Sequence, residues 1–312
     1  MPNNPQPPRL SADDSVVVFR TRRSNVRGRL VRLGKMLDEI VTPHAMPDAP
    51  SRYLSEAIAL AALCGSALPD GGNLNLQVRA SGAVSILVAD YAAPGRLRGY
   101  ARYDEAKLNV ANTQGMDLGT GHLALTLDSG PGEERYQGVL AFENAPLQAT
   151  AAAYFEQREG LPTFIRIAVA NQFIAARQAA SVTSRWHRRG GGLMVQSLTT
   201  ERNSDDNRAG EDWRRVEMLA ATVEDYELLD PELPVERLLL RLFHEEQVAI
   251  ERAIPLFSFC RCSRAKVENV LTTFGAAELT DMCDDSGRIV VTCEFCTSRY
   301  SFSLDDLKQA GG

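Results

Sequence analysis

"NLNLQVRA", running from Asn73 to Ala80, sets Leu74, Leu76, Val78 and Ala80 against Asn73, Asn75, Gln77 and Arg79. A period of two sends one row of side chains to a buried face and the other toward solvent, the mark of a half-buried strand. "AVSILVADY", from Ala83, follows across the turn-former Gly82, and "GHLALTLDSG", from Gly121, repeats the alternation through Leu123, Leu125 and Leu127. Closely spaced strands of this kind predict a largely antiparallel sheet.

Helical patterns are mixed in. "YLSEAIALAALCGSAL", from Tyr53, is apolar and ends in small residues, and "PLQATAAAYFEQ" opens on Pro146, placed as at a first helical turn. Neither βαβ regularity nor an internal repeat is visible. The fold class expected is α+β, with residues 11–185 as its main domain. The ten residues before it contain four prolines and few apolar groups, which predicts a mobile tail.

Bulk composition fits a soluble globular chain of 312 residues, long enough for one large domain and a small one. A net charge of −6 offers no basic face for wholesale nucleic-acid binding. The start, "MPNNPQPPRLSADDS", lacks a secretory signal pattern, and the run "AIALAALCGSAL" from Ala57 is too short for a bilayer. No membrane partner is expected, and the location expected is the cytoplasm.

The composition then shifts. "SRWHRRGGGL", from Ser184, carries three consecutive glycines, and "TERNSDDNRAGED", from Thr200, is polar almost throughout. Both mark a domain junction, so residues 186–256 are taken as a linker. Residues 201–256 hold 22 charged side chains in 56, yet they are patterned. Trp213, Val216, Leu219, Ala220 and Val223 share one helical face, as do Val235, Leu238, Leu239, Leu242 and Phe243. These stripes describe either surface helices docked on the main domain or helices that dock only conditionally.

Residues 257–312 hold five of the six cysteines, four of them paired as C-x-C in "FSFCRCSRAK" (from Phe257) and C-x-x-C in "VVTCEFCTSRY" (from Val290). Two short cysteine pairs brought together by a fold are a common way to build a four-thiolate zinc site, so Cys260, Cys262, Cys293 and Cys296 are the candidate ligands of one Zn²⁺. Between the pairs, Ser263 is placed to cap a helix with the stripe Val267, Val270, Leu271 and Phe274. "DDSG" then turns into the strand "RIVVTC", and Ser303 with Asp306 caps a last helical turn. A unit this small needs the metal to hold it together. Thiolates are also what oxidants attack, and each disulfide formed removes two ligands. A thioredoxin-like reading fails for want of a βαβ context. A nucleic-acid ribbon is disfavoured by six basic against eight acidic residues in 260–312.

Other candidates are weaker. Cys64 reads as a buried small hydrophobe, and "HEEQV" at His244 has Val248 where a zincin needs its second histidine. "DLGTGH" at Asp117 precedes a strand rather than a helix, so it makes no nucleotide loop. No G-x-S-x-G, Walker A or paired-carboxylate motif is legible, so an enzyme is not expected.

"FCRCS" at Phe259, "VTCEFCTSRYSF" at Val291, "LLRLFHEEQV" at Leu239, "RLRGYAR" at Arg96 and "GGLMVQSL" at Gly191 together resemble the heat-shock protein 33 family of redox-regulated chaperones. The resemblance covers nearly the whole chain. It implies an ATP-independent holdase, inactive when reduced and zinc-bound. Oxidation would pair Cys260 with Cys262 and Cys293 with Cys296, release zinc, and unfold the tail (257–312) and the linker (186–256). It also implies unfolding client proteins as partners and a homodimeric active form, with residues 11–185 binding clients and dimerising. Cys283 lies outside the four matching cysteines and could compete in disulfide exchange. The alternative left by the residues alone is a constitutive zinc-ribbon adaptor whose metal is purely structural.

Overall fold

The computed structural model describes residues 13–111, 118–130, 133, 135–174, 185–198 and 207–310. Two compact units divide the chain, Met1–Ser258 and Phe259–Gly312. The first unit begins with β1 (Ser15–Thr21), β2 (Val26–Leu33), α1 (Lys35–Val41), α2 (Asp48–Gly65), β3 (Asn73–Ala80), β4 (Val84–Ala92) and β5 (Arg96–Tyr103). Next come α3 (Glu105–Ala111), β6 (Thr120–Asp128), β7 (Tyr136–Glu143), α4 (Leu147–Tyr154), β8 (Thr163–Ile174) and β9 (Arg185–Ser197). It closes with α5 (Asn207–Ala221), α6 (Asp225–Leu229), α7 (Val235–Phe243), β10 (Val248–Pro255) and the short β11 (Phe257–Ser258).

The α+β expectation holds. One sheet has the order β10-β1-β2-β9-β8 and the other β11-β5-β4-β3-β6-β7; every pairing is antiparallel except β11 with β5. Asn73–Ala80 is a central strand, and its row Leu74, Leu76 and Val78 faces the core as the alternation requires. Between the sheets runs α2, with 15 of its 18 residues buried. A helix that is apolar on all sides has to be covered on all sides, and the residues from Ala57 to Cys64 meet that condition. Among the described residues no helix is long and apolar enough to cross a membrane.

The opposite face of the five-stranded sheet is roofed by α5, α6 and α7. Val216, Ala220, Val223, Leu238, Leu239, Leu242 and Phe243 pack there on Val17, Phe19, Leu30, Leu193 and Val195. Both linker stripes are therefore docked in this state, with Phe243 stacked on Phe19 at 5.6 Å between ring centroids.

The glycine triplet requires a correction. Residues 186–197, read as the start of the linker, belong to β9, which lies between β2 and β8. Gly190, Gly191 and Gly192 form no turn; they admit close neighbours on both sheet faces. A Cβ at Gly190 would sit 3.2 Å from Leu37, one at Gly192 3.1 Å from Leu63, and one at Gly191 would strike the Leu228 carbonyl of α6. The linker's far end is also structured, since β10 is an edge strand of the same sheet. The proline-rich first ten residues lie outside the described residues.

Candidate metal centre

The second unit comprises α8 (Arg264–Leu271), α9 (Ala276–Asp281), the hairpin of β12 (Arg288–Thr292) with β13 (Arg299–Ser303), and α10 (Leu304–Ala310). Its apolar centre is Leu271, Leu279, Ile289, Phe302 and Leu307. Five side chains make a small core, and local polar devices carry much of the shaping. Ser263 Oγ accepts from Lys266 N at 3.3 Å to cap α8. Asp284 Oδ1 accepts from Ser286 N at 2.9 Å and Arg288 N at 3.1 Å to close the turn into β12. Ser303 and Asp306 cap α10 reciprocally, each bond 3.1 Å. Only part of the α8 stripe turns inward: Leu271 is buried and Val267 packs on the core, but Val270 is 59% and Phe274 37% exposed. Phe274 falls outside the stripe because α8 ends at Leu271.

This frame brings the two cysteine pairs together. Cys260 and Cys262 lie in the extended stretch that ends at the α8 cap, and Cys293 follows β12 directly. Cys293 N donates to Ser298 O at 2.9 Å and Thr297 N to Cys293 O at 2.8 Å, folding Cys293–Ser298 into a tight knuckle with Thr297 at φ 57°. The four Sγ atoms lie within 4.8 Å of one another, with Cys260–Cys293 at 3.7 Å and Cys262–Cys296 at 3.3 Å. A tetrahedral ion with metal–sulfur bonds of about 2.3 Å needs sulfur–sulfur edges of about 3.8 Å. The cluster fits such an ion.

Burial pushes the Cys260, Cys262 and Cys293 thiols up, against backbone hydrogen bonds at Cys260 and Cys293 and the Tyr300 hydroxyl at Cys262. At Cys296 burial acts in the same direction, but hydrogen bonds from the Ser298 side chain and backbone outweigh it and bring the thiol down to about 7. Tyr300 Oη donates to Cys262 Sγ at 3.1 Å, and that bond pushes the phenol up to about 12. Ser298 and Tyr300 are thus supporting groups that the cysteine spacing did not single out. Their signal is the hydroxyl-rich "TSRY" that follows the second pair.

The remaining cysteines stand apart. Cys283 is half-buried just past α9 and its thiol donates to Leu279 O at 3.4 Å. Cys64 is buried in α2, where desolvation, only partly offset by Arg29, pushes it up to about 12. It is chemically quiet, as its apolar setting implied.

The profile of the Hsp33 protein family matches residues 14–303. The chain belongs to the Hsp33 family. The 33 kDa chaperonin of Caulobacter vibrioides is 38% identical over 295 residues, covering 92% of this chain and 94% of that protein. The one from Shewanella loihica is 34% identical over 285 residues, 91% of each. The crystal structure of the 33 kDa chaperonin (heat shock protein 33 homolog) from Thermotoga maritima superposes with a TM-score of 0.75, covering 95% of this chain and 97% of that one at 22% identity. At that identity the likeness speaks to the Hsp33 fold alone. The relatives are named as chaperonins, so the expectation of a chaperone stands.

Proposed function

We propose that this Hsp33-family chain is an ATP-independent holdase of the cytoplasm, locked by zinc and opened by oxidation. In the reduced state Cys260, Cys262, Cys293 and Cys296 hold one Zn²⁺, and residues 257–312 form the switch. The observation that carries this reading is the mutual approach of the four sulfurs within 4.8 Å. An all-thiolate set suits zinc. Structural zinc contributes about 10–16 kcal/mol at neutral pH, comparable with or larger than the net stability of a whole small domain.

Two zinc-bound thiolates become a disulfide by giving two electrons to a two-electron oxidant such as a peroxide, which is reduced to water or an alcohol as it takes up two protons from solvent, and each S–S bond formed replaces two metal–sulfur bonds. Pairing is proposed within each motif, Cys260 with Cys262 and Cys293 with Cys296. Once the metal leaves and the unit loosens, partners two or three positions apart stay close, while partners more than thirty apart separate. Release then passes along the chain. Cys260 follows Ser258 by two residues, and Ser258 is held by β11 pairing and by its hydroxyl donating to Glu39 Oε2 at 2.6 Å. Before β11 in the chain comes the linker segment from α5 through β10. Its departure uncovers Val17, Phe19, Leu30, Leu193 and Val195, an apolar sheet face of the kind that binds unfolding proteins. The active form is proposed to be a homodimer acting on such clients, with no nucleic-acid or membrane partner.

The test measures aggregation of a heat-labile reporter with the reduced, zinc-loaded chain and with the oxidised chain, while released zinc is followed by a chromogenic chelator. Suppression only after oxidation, with one zinc released per chain, is expected. Equal suppression by both forms would refute the switch, and loss of reporter binding on oxidation would favour the constitutive adaptor. Sedimentation of the oxidised chain checks the dimer.

A further inference from the structure

The docked linker covers an edge as well as a face. β1, "SVVVFRT", has six of its seven residues buried, and it pairs with β2 through seven positions in continuous register. Its other edge is occupied by β10, "VAIERAIP", and the fit there is poorer. Between Val18 and Phe19 the partners step from Arg252 to Ile250, leaving Glu251 unopposed as a bulge. No residue of β10 is fully buried. An interrupted, half-exposed outer strand is easier to remove than a continuous, buried inner one.

When β10 leaves with the linker, β1 becomes a sheet edge with little of what protects edges. It has no proline and one exposed charge, Arg20, and the sheet face beside it carries Val17 and Phe19 stripped of α7. Such an edge pairs with any extended chain through its main chain, while adjoining apolar surface takes alternate side chains. β10 shows the chemistry of the occupant: about seven residues, antiparallel, with Val248, Ile250 and Ile254 among its apolar members. Folded proteins keep their strands paired, and unfolding ones expose them. At the other end of this sheet, β8 has no outer partner among the described strands in this closed state, so its edge could not supply a redox-dependent difference.

We infer that the oxidised chain holds a client by adding an extended client segment, apolar at alternate positions, to the β1 edge that β10 covers when the chain is reduced. The inference rests on the linker release proposed above. Main-chain pairing accounts for a holdase that reads no particular sequence.

The experiment is hydrogen exchange on the full chain, reduced, oxidised, and oxidised with a chemically unfolded reporter protein. Zinc release and suppression of aggregation are measured on the same samples. Amides of residues 15–21 are expected to exchange at least ten-fold faster after oxidation and to slow again when the reporter binds. A peptide of sequence VAIERAIP is expected to compete with the reporter, and the same peptide N-methylated at alternate residues to compete at least ten-fold less. The inference is overturned if oxidised chain releases zinc and suppresses aggregation while residues 15–21 stay slow throughout; the proposed holdase then survives without it. Equal competition by both peptides, or re-protection in oxidised dimer without reporter, overturns it too, the latter assigning the edge to a second copy. Absence of both zinc release and suppression removes the switch and the inference together.

Discussion

At the scale of single residues, the metal centre is built from thiols with unequal proton affinities. Cys260, Cys262 and Cys293 are raised by burial and Cys296 sits at about 7, so at neutral pH protons compete with the metal chiefly at the first three. A raised thiol is protonated already at higher pH, so each step downward in pH returns protons to ligands. Chelator competition at pH 8, 7 and 6 under reducing conditions should show zinc affinity falling monotonically; an affinity indifferent to pH would contradict thiolate ligation. Tyr300→Phe removes the donor on Cys262 Sγ, and Ser298→Ala removes the hydroxyl that is hydrogen-bonded to Cys296 Sγ at 3.2 Å. Each is expected to weaken zinc binding about ten-fold in the same assay, as loss of a hydrogen bond to a ligand generally does. The clustering of the four cysteines was legible in the sequence because chemistry fixes their type and the chain fixes their spacing. Ser298 and Tyr300 were not, because a hydroxyl gains its role from the direction in which the knuckle and the strand after it happen to point it.

At the scale of elements, the linker is fastened to the sheet by charges as well as by its stripes. Arg32, fully buried on β2, donates to Glu227 O at 2.9 Å and to Leu233 O, and Arg189 on β9 donates to Leu229 O at 2.9 Å. These guanidiniums satisfy carbonyls at the end of α6 and in the turn that follows. Glu246, also fully buried, receives Arg215 Nε of α5 at 2.6 Å, tying the end of the α7 segment to α5. Arg32→Met leaves those carbonyls unsatisfied and should cost the docked linker about 2–3 kcal/mol. In the reduced chain, cleavage of residues 207–255 by a trace protease is then expected to rise about 30- to 150-fold with zinc still bound. Gly191→Ala should act in the same direction by pushing Leu228 off β9. Burial pushes the Glu246 carboxyl up, but Arg215, Ser24 and Arg23 prevail and hold it below its ordinary 4.5. A depressed carboxyl stabilises above its unfolded value and loses that contribution as pH falls through the folded one. Linker protection should therefore decline below about pH 4.5, and Glu246→Gln should flatten that decline. Sequence patterning foresaw both linker stripes and the alternating strands, since period reports directly on which face is buried. It misread the glycine triplet and β10, because what decides them is a partner far along the chain: Leu228 above Gly191, and β1 beside a strand whose charges resemble those of a linker.

At the scale of the molecule, the proposed zinc lock makes the two units depend on the metal to very different degrees, and this decides what chelation is expected to do. The first unit is organised around α2, a helix whose burial between two sheets owes nothing to a cysteine ligand. The second has five buried apolar side chains and four sulfurs that, without an ion, must either stay protonated at close quarters or disperse. Removing zinc with a chelator under reducing conditions should therefore abolish exchange protection across residues 259–310 while β3 to β6 and α2 keep theirs, a partial unfolding rather than a global one. The linker provides the discriminating reading. If the metal alone is the lock, residues 207–255 should lose protection at a temperature below that of α2, and the chelated, reduced chain should then suppress aggregation when warmed, with no disulfide formed. If the linker stays as protected as α2 in the chelated chain, its own anchors suffice to hold it, and oxidation must do something beyond expelling the ion. Exchange measured against temperature on chelated and oxidised samples separates these outcomes, because the stripes, the buried arginines and the glycine contacts are identical in both and only the state of the four sulfurs differs.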